Sequence, residues 1–153
     1  MQYLLISKGI EYLEEFHSDP WVEYIGKNYD FNSQLNQSIL EHLEEIVGTD
    51  MSPFLQQRYA FQYLRMLFQN NDVYGCKEVY YTHFDPNKNE TILNPWALHY
   101  CAIAEKESGD SVEANYHMAL VFDRCDDKKL RMYMQFNRSQ SMINQTLALA
   151  KTP

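Results

Sequence analysis

Apolar residues return along this chain at helical intervals. Ala114, Met118, Val121 and Cys125 stand at i, i+4, i+7 and i+11, a single stripe of a 3.6-residue period. Ile6, Ile10 and Leu13 repeat the pattern opposite Glu11, Glu14 and Glu15, and so do Leu35, Ile39, Leu43 and Ile46 opposite Gln34, Gln37, Glu41, Glu44 and Glu45. The spacing predicts helices over about 3–16, 33–47, 54–70, 73–81, 95–108 and 111–125. A short helix is expected over 21–29 behind Asp19-Pro20. Another starts after Asp126-Asp127 and either stops near Phe136 or runs through 137–139 into a last segment striped by Ile143, Leu147 and Ala150.

Punctuation residues agree with these spans. Asn94 is suited to cap the helix that Pro95 opens, Asn32 or Ser33 the helix that Gly48 stops, and Asn70-Asn71-Asp72 reads as a turn followed by a cap. Gly109 tolerates the positive φ of a tight turn, and Ser111 is placed to cap the return helix. The 54–70 segment is apolar nearly all round, with only a narrow polar line of Arg58, Gln62, Arg65 and Gln69, and is expected to lie in the middle of the fold. The longest polar stretch, 82–93, is the natural sub-boundary within one domain spanning 1–153. The fold class is expected to be all-α.

The stretch from Asn94 to Cys125 resembles a tetratricopeptide repeat. With Gly109 at the interhelical turn, Ala102 takes the small position of the first helix, and Ala114 and Met118 take the small and bulky positions of the second. Trp96, Glu105 and Val121 depart from the usual pattern, and no proline follows Asp123. A second hint of repetition is the match of residues 10–16, IEYLEEF, to residues 40–46, LEHLEEI, 30 positions later. The resemblance implies antiparallel helical hairpins stacked as a short right-handed solenoid, with an irregular helical bundle as the alternative. It also implies a groove that holds a protein or peptide partner and catalyses nothing.

Composition narrows the partners. The chain has 153 residues, enough for one core, and only 5 Gly and 5 Pro, too few for a turn-rich β fold. Its 13 basic and 21 acidic residues give a net charge of -8, a field that repels nucleic acid. No apolar run approaches the roughly 20 residues of a membrane span, and Glu11, Glu14 and Glu15 interrupt what would be a signal peptide, so the expected location is cytoplasmic. Cys76, Cys101 and Cys125 have no paired spacing and read as buried free thiols. The closing Lys-Thr-Pro reads as a cut within a longer solenoid or as a frayed tail.

No catalytic signature is present: there is no phosphate loop, nucleophile elbow or HxxxH spacing among His17, His42, His83, His99 and His117. No cofactor or metal is expected on that ground. The candidate partner-binding residues are Arg58, Gln62 and Arg65 on the central helix and Glu41, Glu44 and Glu45 on an acidic ladder. Arg58 and Arg65 require carboxylate partners or line a groove. The glutamates place like charges at i, i+4 and load the wrong end of a helix dipole, a cost that a basic partner would offset. That partner is another protein, or this chain's own Arg124, Lys128, Lys129, Arg131 and Arg138 in a homo-oligomer.

The expected function is therefore a non-enzymatic interaction module. Two alternatives stand beside it. One is a small helical metal-binding protein or enzyme in which His99 and His117 meet near Glu105 or Cys101; the other is an acidic inhibitor of a basic partner.

Overall fold

The computed structural model describes residues 2–18, 29–84 and 91–150, with the side chains of Gln2, 12–18 and 29–33 left aside. Every regular element among them is helical: α1 (Gln2–Ser18), α2 (Tyr29–Val47), α3 (Pro53–Gln69), α4 (Val73–His83), α5 (Leu93–Ser108), α6 (Ser111–Arg124), α7 (Lys129–Gln135) and α8 (Gln140–Leu149), with a 3₁₀ turn over Asp126–Lys128. The all-α class expected from the spacing holds. The short helix expected over 21–29 falls outside the described residues except for Tyr29, which belongs to α2. The chain divides into two compact units, Met1–Met66 and Leu67–Pro153. The division lies inside α3, whereas the 82–93 segment belongs to the second unit.

In the first unit, α2 begins at Tyr29, a turn before the expected caps at Asn32 and Ser33. Ile10 of α1, Leu43 and Val47 of α2, and Tyr59, Ala60, Phe61, Leu64 and Met66 of α3 are buried. Tyr3 meets Tyr59 edge to face, ring centres 5.4 Å apart, which joins α1 to α3. Gln62 belongs to the polar line of α3 but is 3% exposed. Its amide donates to the Tyr3 hydroxyl at 3.1 Å and to Ser7 Oγ at 3.4 Å, bonds that offset its desolvation.

The second unit is organised around α5 and α6. Ala97, Leu98, His99, Cys101, Ala102, Ile103, Ala104 and Glu105 of α5 are all buried, a run made close-packing by its alanines. The α6 stripe is buried as its spacing requires: Ala114 at 2%, Met118 at 1%, Val121 at 0% and Cys125 at 4% exposure. α4 packs on α5, and α6 packs on α5, α7 and α8.

Two left-handed residues make the turns. Gly109 has φ +94°; its N–H donates to the Lys106 carbonyl at 3.3 Å and the next N–H, of Asp110, donates to Glu105 at 2.8 Å, the paired bonds of a Schellman motif. Asn71, at φ 58°, closes α3 in the same way through Asn71 to Phe68 and Asp72 to Leu67. Asp72 then caps α4 by accepting from the Gly75 N–H at 2.9 Å.

Three local expectations give way, and one open alternative is decided. Asn94 is not the cap of α5: the helix starts at Leu93, and the Asn94 side chain, 5% exposed, accepts from the Thr91 N–H at 2.8 Å and donates to the Phe84 carbonyl at 3.0 Å. It ties the end of α4 to the start of α5. Ser111 does not cap α6, because Asp110 holds that position without a side-chain bond. The chain does break between α7 and α8, where Phe136 is extended and Ser139 caps α8 by accepting from Met142 N–H at 3.3 Å. Finally, Leu147 of the expected α8 stripe is 52% exposed, and the buried α8 residue is Thr146, which accepts from the amide of buried Asn115 at 3.3 Å. Asn115 also exchanges two bonds with the Asn137 backbone, so a polar clamp, not an apolar stripe, seats α8.

Candidate functional site

The residues that sequence reasoning chose lie in the first unit and do not form one cluster. The Arg58 guanidinium sits over the Phe54 ring at 4.5 Å, and its Nε is buried without a hydrogen-bond partner. Arg65 donates to Gln62 Oε1 at 2.8 Å and lies over Phe61 at 6.0 Å. Arg58, Gln62 and Arg65 thus form an aromatic and amide strip on α3. Glu41, Glu44 and Glu45 are exposed on α2, where Glu41 accepts from Gln37 at 2.8 Å. Three residues of the basic cluster are engaged locally: Lys128 lies over Trp96 at 4.5 Å, Lys129 pairs with Asp126 at 2.6 Å, and Arg138 lies over Tyr133 at 4.6 Å.

The second unit holds a denser chemistry. Cys101 and Glu105 are one turn apart on the same face of α5, and Gly109 folds α6 back so that His117 reaches them. The Glu105 carboxylate is 1% exposed. Its Oε2 lies 2.7 Å from His117 Nδ1, and its Oε1 accepts from the Tyr81 hydroxyl at 2.7 Å and from the Cys101 thiol at 3.6 Å. A buried carboxylate without such partners would cost several kcal/mol. One turn away, Lys77 of α4 pairs with Asp110, which also accepts from Ser108 Oγ at 3.1 Å. Burial, together with the adjacent Glu105 charge, raises the Cys101 thiol well above its ordinary value. Burial likewise raises Tyr81, with the hydrogen bond to Glu105 adding to it, so both groups carry their protons. Burial pushes the Cys76 thiol up to about 12.

A cavity of about 380 Å³ opens beside this network. Tyr80 and Tyr81 of α4, Asn94, Pro95 and Leu98 of α5, and Tyr116, His117, Leu120 and Arg124 of α6 line it. Three tyrosines and two leucines make it an apolar slot with hydroxyls and one arginine at its edges. His117 and the half-exposed Tyr81 line the cavity wall and also bond the buried Glu105 carboxylate.

His99 does not join His117. It is fully buried, with neither ring nitrogen hydrogen-bonded, and among the described residues the convergent group is Cys101, Glu105 and His117. The interhelical pairing is not visible in a linear reading, because it depends on the register at which α6 returns along α5. A local signal did exist: Glu105 stands where the resembled repeat carries an aromatic, and an acid on a buried face requires a partner.

The described helices define an all-α protein. Among protein-family models, curated proteins and solved structures, none matches the chain. Among the described residues, no helix is long and apolar enough to cross a membrane.

Proposed function

We propose that the chain is a non-enzymatic, tetratricopeptide-like interaction module that holds an extended peptide segment by inserting one bulky side chain into the α4–α5–α6 cavity. The observation that carries this reading is the cavity itself, whose 380 Å³ has room for an inserted side chain or two. Tyrosines favour such a role, since their rings give contact area at small conformational cost while their hydroxyls remain bonded or wet. Ala102, Ala114 and Met118, all 2% exposed or less, occupy the small and bulky places of the resembled repeat, and the Gly109 turn gives the hairpin its tightness. The placement of Tyr81 and His117 supports holding over transforming, since both are engaged by Glu105.

The test is selection of binding peptides from a random-sequence library displayed on phage, followed by titration against wild type and Leu120→Glu. Leu120 lines the cavity and is half-buried, so a carboxylate there fills the slot with charge at little cost to the fold. Selected peptides are expected to lose at least about tenfold in affinity, equivalent to 1.4 kcal/mol. Peptides that bind Leu120→Glu as well as wild type would refute the assignment.

A further inference from the structure

The donors around Glu105 have a composition that hydrogen bonding alone does not explain. A carboxylate seeking a third hydrogen bond is served better by a hydroxyl than by a thiol, which is a weak donor and here sits 3.6 Å away. What sulfur adds to an oxygen and an imidazole nitrogen is affinity for borderline-soft cations. One ligand atom from each of Cys101, Glu105 and His117 lies within 4.8 Å of the others. Three atoms so placed share a centre no more than about 2.8 Å from each, within about 1 Å of the zinc distances of about 2.3 Å to sulfur and 2.0–2.2 Å to nitrogen and oxygen.

We propose that Cys101, Glu105 and His117 form a binding site for a divalent transition-metal cation of the zinc class, held between α5 and α6. A thiolate and a carboxylate would neutralise the two charges of the ion, so the occupied site carries no net charge into the core. The elements position it well. Cys101 and Glu105 are locked by the buried i, i+4 geometry of α5, and the Schellman turn at Gly109 fixes where His117 returns. Tyr81 donates to Glu105 from outside the triad, the kind of support that orients a ligating carboxylate. Three protein donors leave a fourth position for water or another ligand, and the cavity wall at Tyr81 and His117 gives the ion a route inward.

Binding balances as an exchange of protons for metal. The Cys101 thiol loses its proton to solvent as the metal–sulfur bond forms, and His117 offers Nδ1 once its proton resides on Nε2 or has left. The Glu105 carboxylate exchanges its bonds from sulfur and imidazole for the cation.

The test uses the full, untagged chain stripped with a chelator and titrated with cobalt(II), then with zinc(II) in competition. One equivalent of cobalt is expected to bind saturably, with a thiolate-to-cobalt charge-transfer band in the near ultraviolet that zinc abolishes. Cys101→Ser removes the band, His117→Gln weakens binding at least tenfold with the band retained, and Tyr81→Phe weakens it about tenfold. Cys125→Ser, which removes a buried thiol outside the cluster, leaves band and affinity unchanged. Circular dichroism establishes that each variant is folded; if Cys101→Ser is not, the His117→Gln and Cys125→Ser pair decides. A wild-type chain that binds no cobalt, a band that survives Cys101→Ser, or equal affinity in His117→Gln overturns the site. Leu120→Glu leaves the cobalt band in place, so failure of the peptide reading and failure of the metal reading are separate results.

Discussion

Gly109 holds a backbone conformation that L side chains resist, with φ at +94° and no atom within 4 Å of the place a Cβ would occupy. Space is thus no obstacle to a side chain, and the whole penalty of Gly109→Ala is backbone strain. Left-handed geometry costs a non-glycine residue roughly 1–2 kcal/mol, and alanine recovers part of this by restricting the unfolded chain. A loss of about 1 kcal/mol is expected, read as a lower urea midpoint with an unchanged slope. An unchanged midpoint would mean that the turn relaxes freely and does not fix the hairpin register. Gly75 is the opposite case. A Cβ there would come within 2.6 Å of Asp72 Oδ2, the oxygen pair that caps α4, so crowding of the cap offsets what alanine gains in helix propensity.

At the scale of the elements, the α6 stripe and the α8 stripe looked alike in sequence and differ in what they bury. Met118 is 1% exposed against α5, and Met118→Ala is expected to cost about 2–5 kcal/mol through lost burial and a residual cavity. Leu147 is 52% exposed, and Leu147→Ala is expected to stay within about 0.5 kcal/mol. Thermal or urea unfolding of the two variants side by side checks the contrast, and comparable losses would contradict the assignment of α8 to an Asn115 clamp. Most helix spans were legible because period, glycine stops and the Asp72 cap act within a turn or two of chain. The Gly109 turn was legible for the same reason. Asn94 was misread because a cap asparagine and a tertiary asparagine look identical until the Phe84 carbonyl is brought beside it. Gln62 was read as a partner-binding residue on the polar line of α3 because Tyr3 and Ser7, to which it donates, are 59 and 55 positions away. The Glu105–His117 pair was only half legible: both arms of the hairpin were visible, and the choice between His99 and His117 rests on interhelical register.

Across the whole molecule, the shifted groups give stability a common dependence on pH. His99 is held near pKa 3, first by burial and then by the charges of Arg131 and Lys128. Its ordinary value is 6.5, so between those limits the unfolded chain binds a proton that the folded chain refuses. The stabilisation is complete above pH 6.5 and drains away as pH falls toward 3. Half-buried His83 is lowered as well, by its desolvation, and acts in the same direction. Asp110 and Asp126 are lowered by their lysine partners Lys77 and Lys129, so their pairs support the fold at neutral pH and lose that support in acid. The same lysines are raised, a contribution fully present below their ordinary value and lost as pH rises through the folded one. The buried Cys76 and Cys101 thiols keep their protons in the fold where the unfolded chain releases them, which lowers stability above their ordinary value of 9.0. Stability is therefore highest from about pH 7 to about pH 9 and falls on either side. For His99 alone the slope is about 1.4 kcal/mol per pH unit, or about 2 kcal/mol between pH 7 and pH 5. His99→Leu removes the titrating group and two ring nitrogens that lack partners, so it is expected to flatten this slope and to raise the urea midpoint at pH 5 more than at pH 7. An acid slope as steep in His99→Leu as in wild type would mean that His99 takes up its proton alike in the folded and unfolded chain.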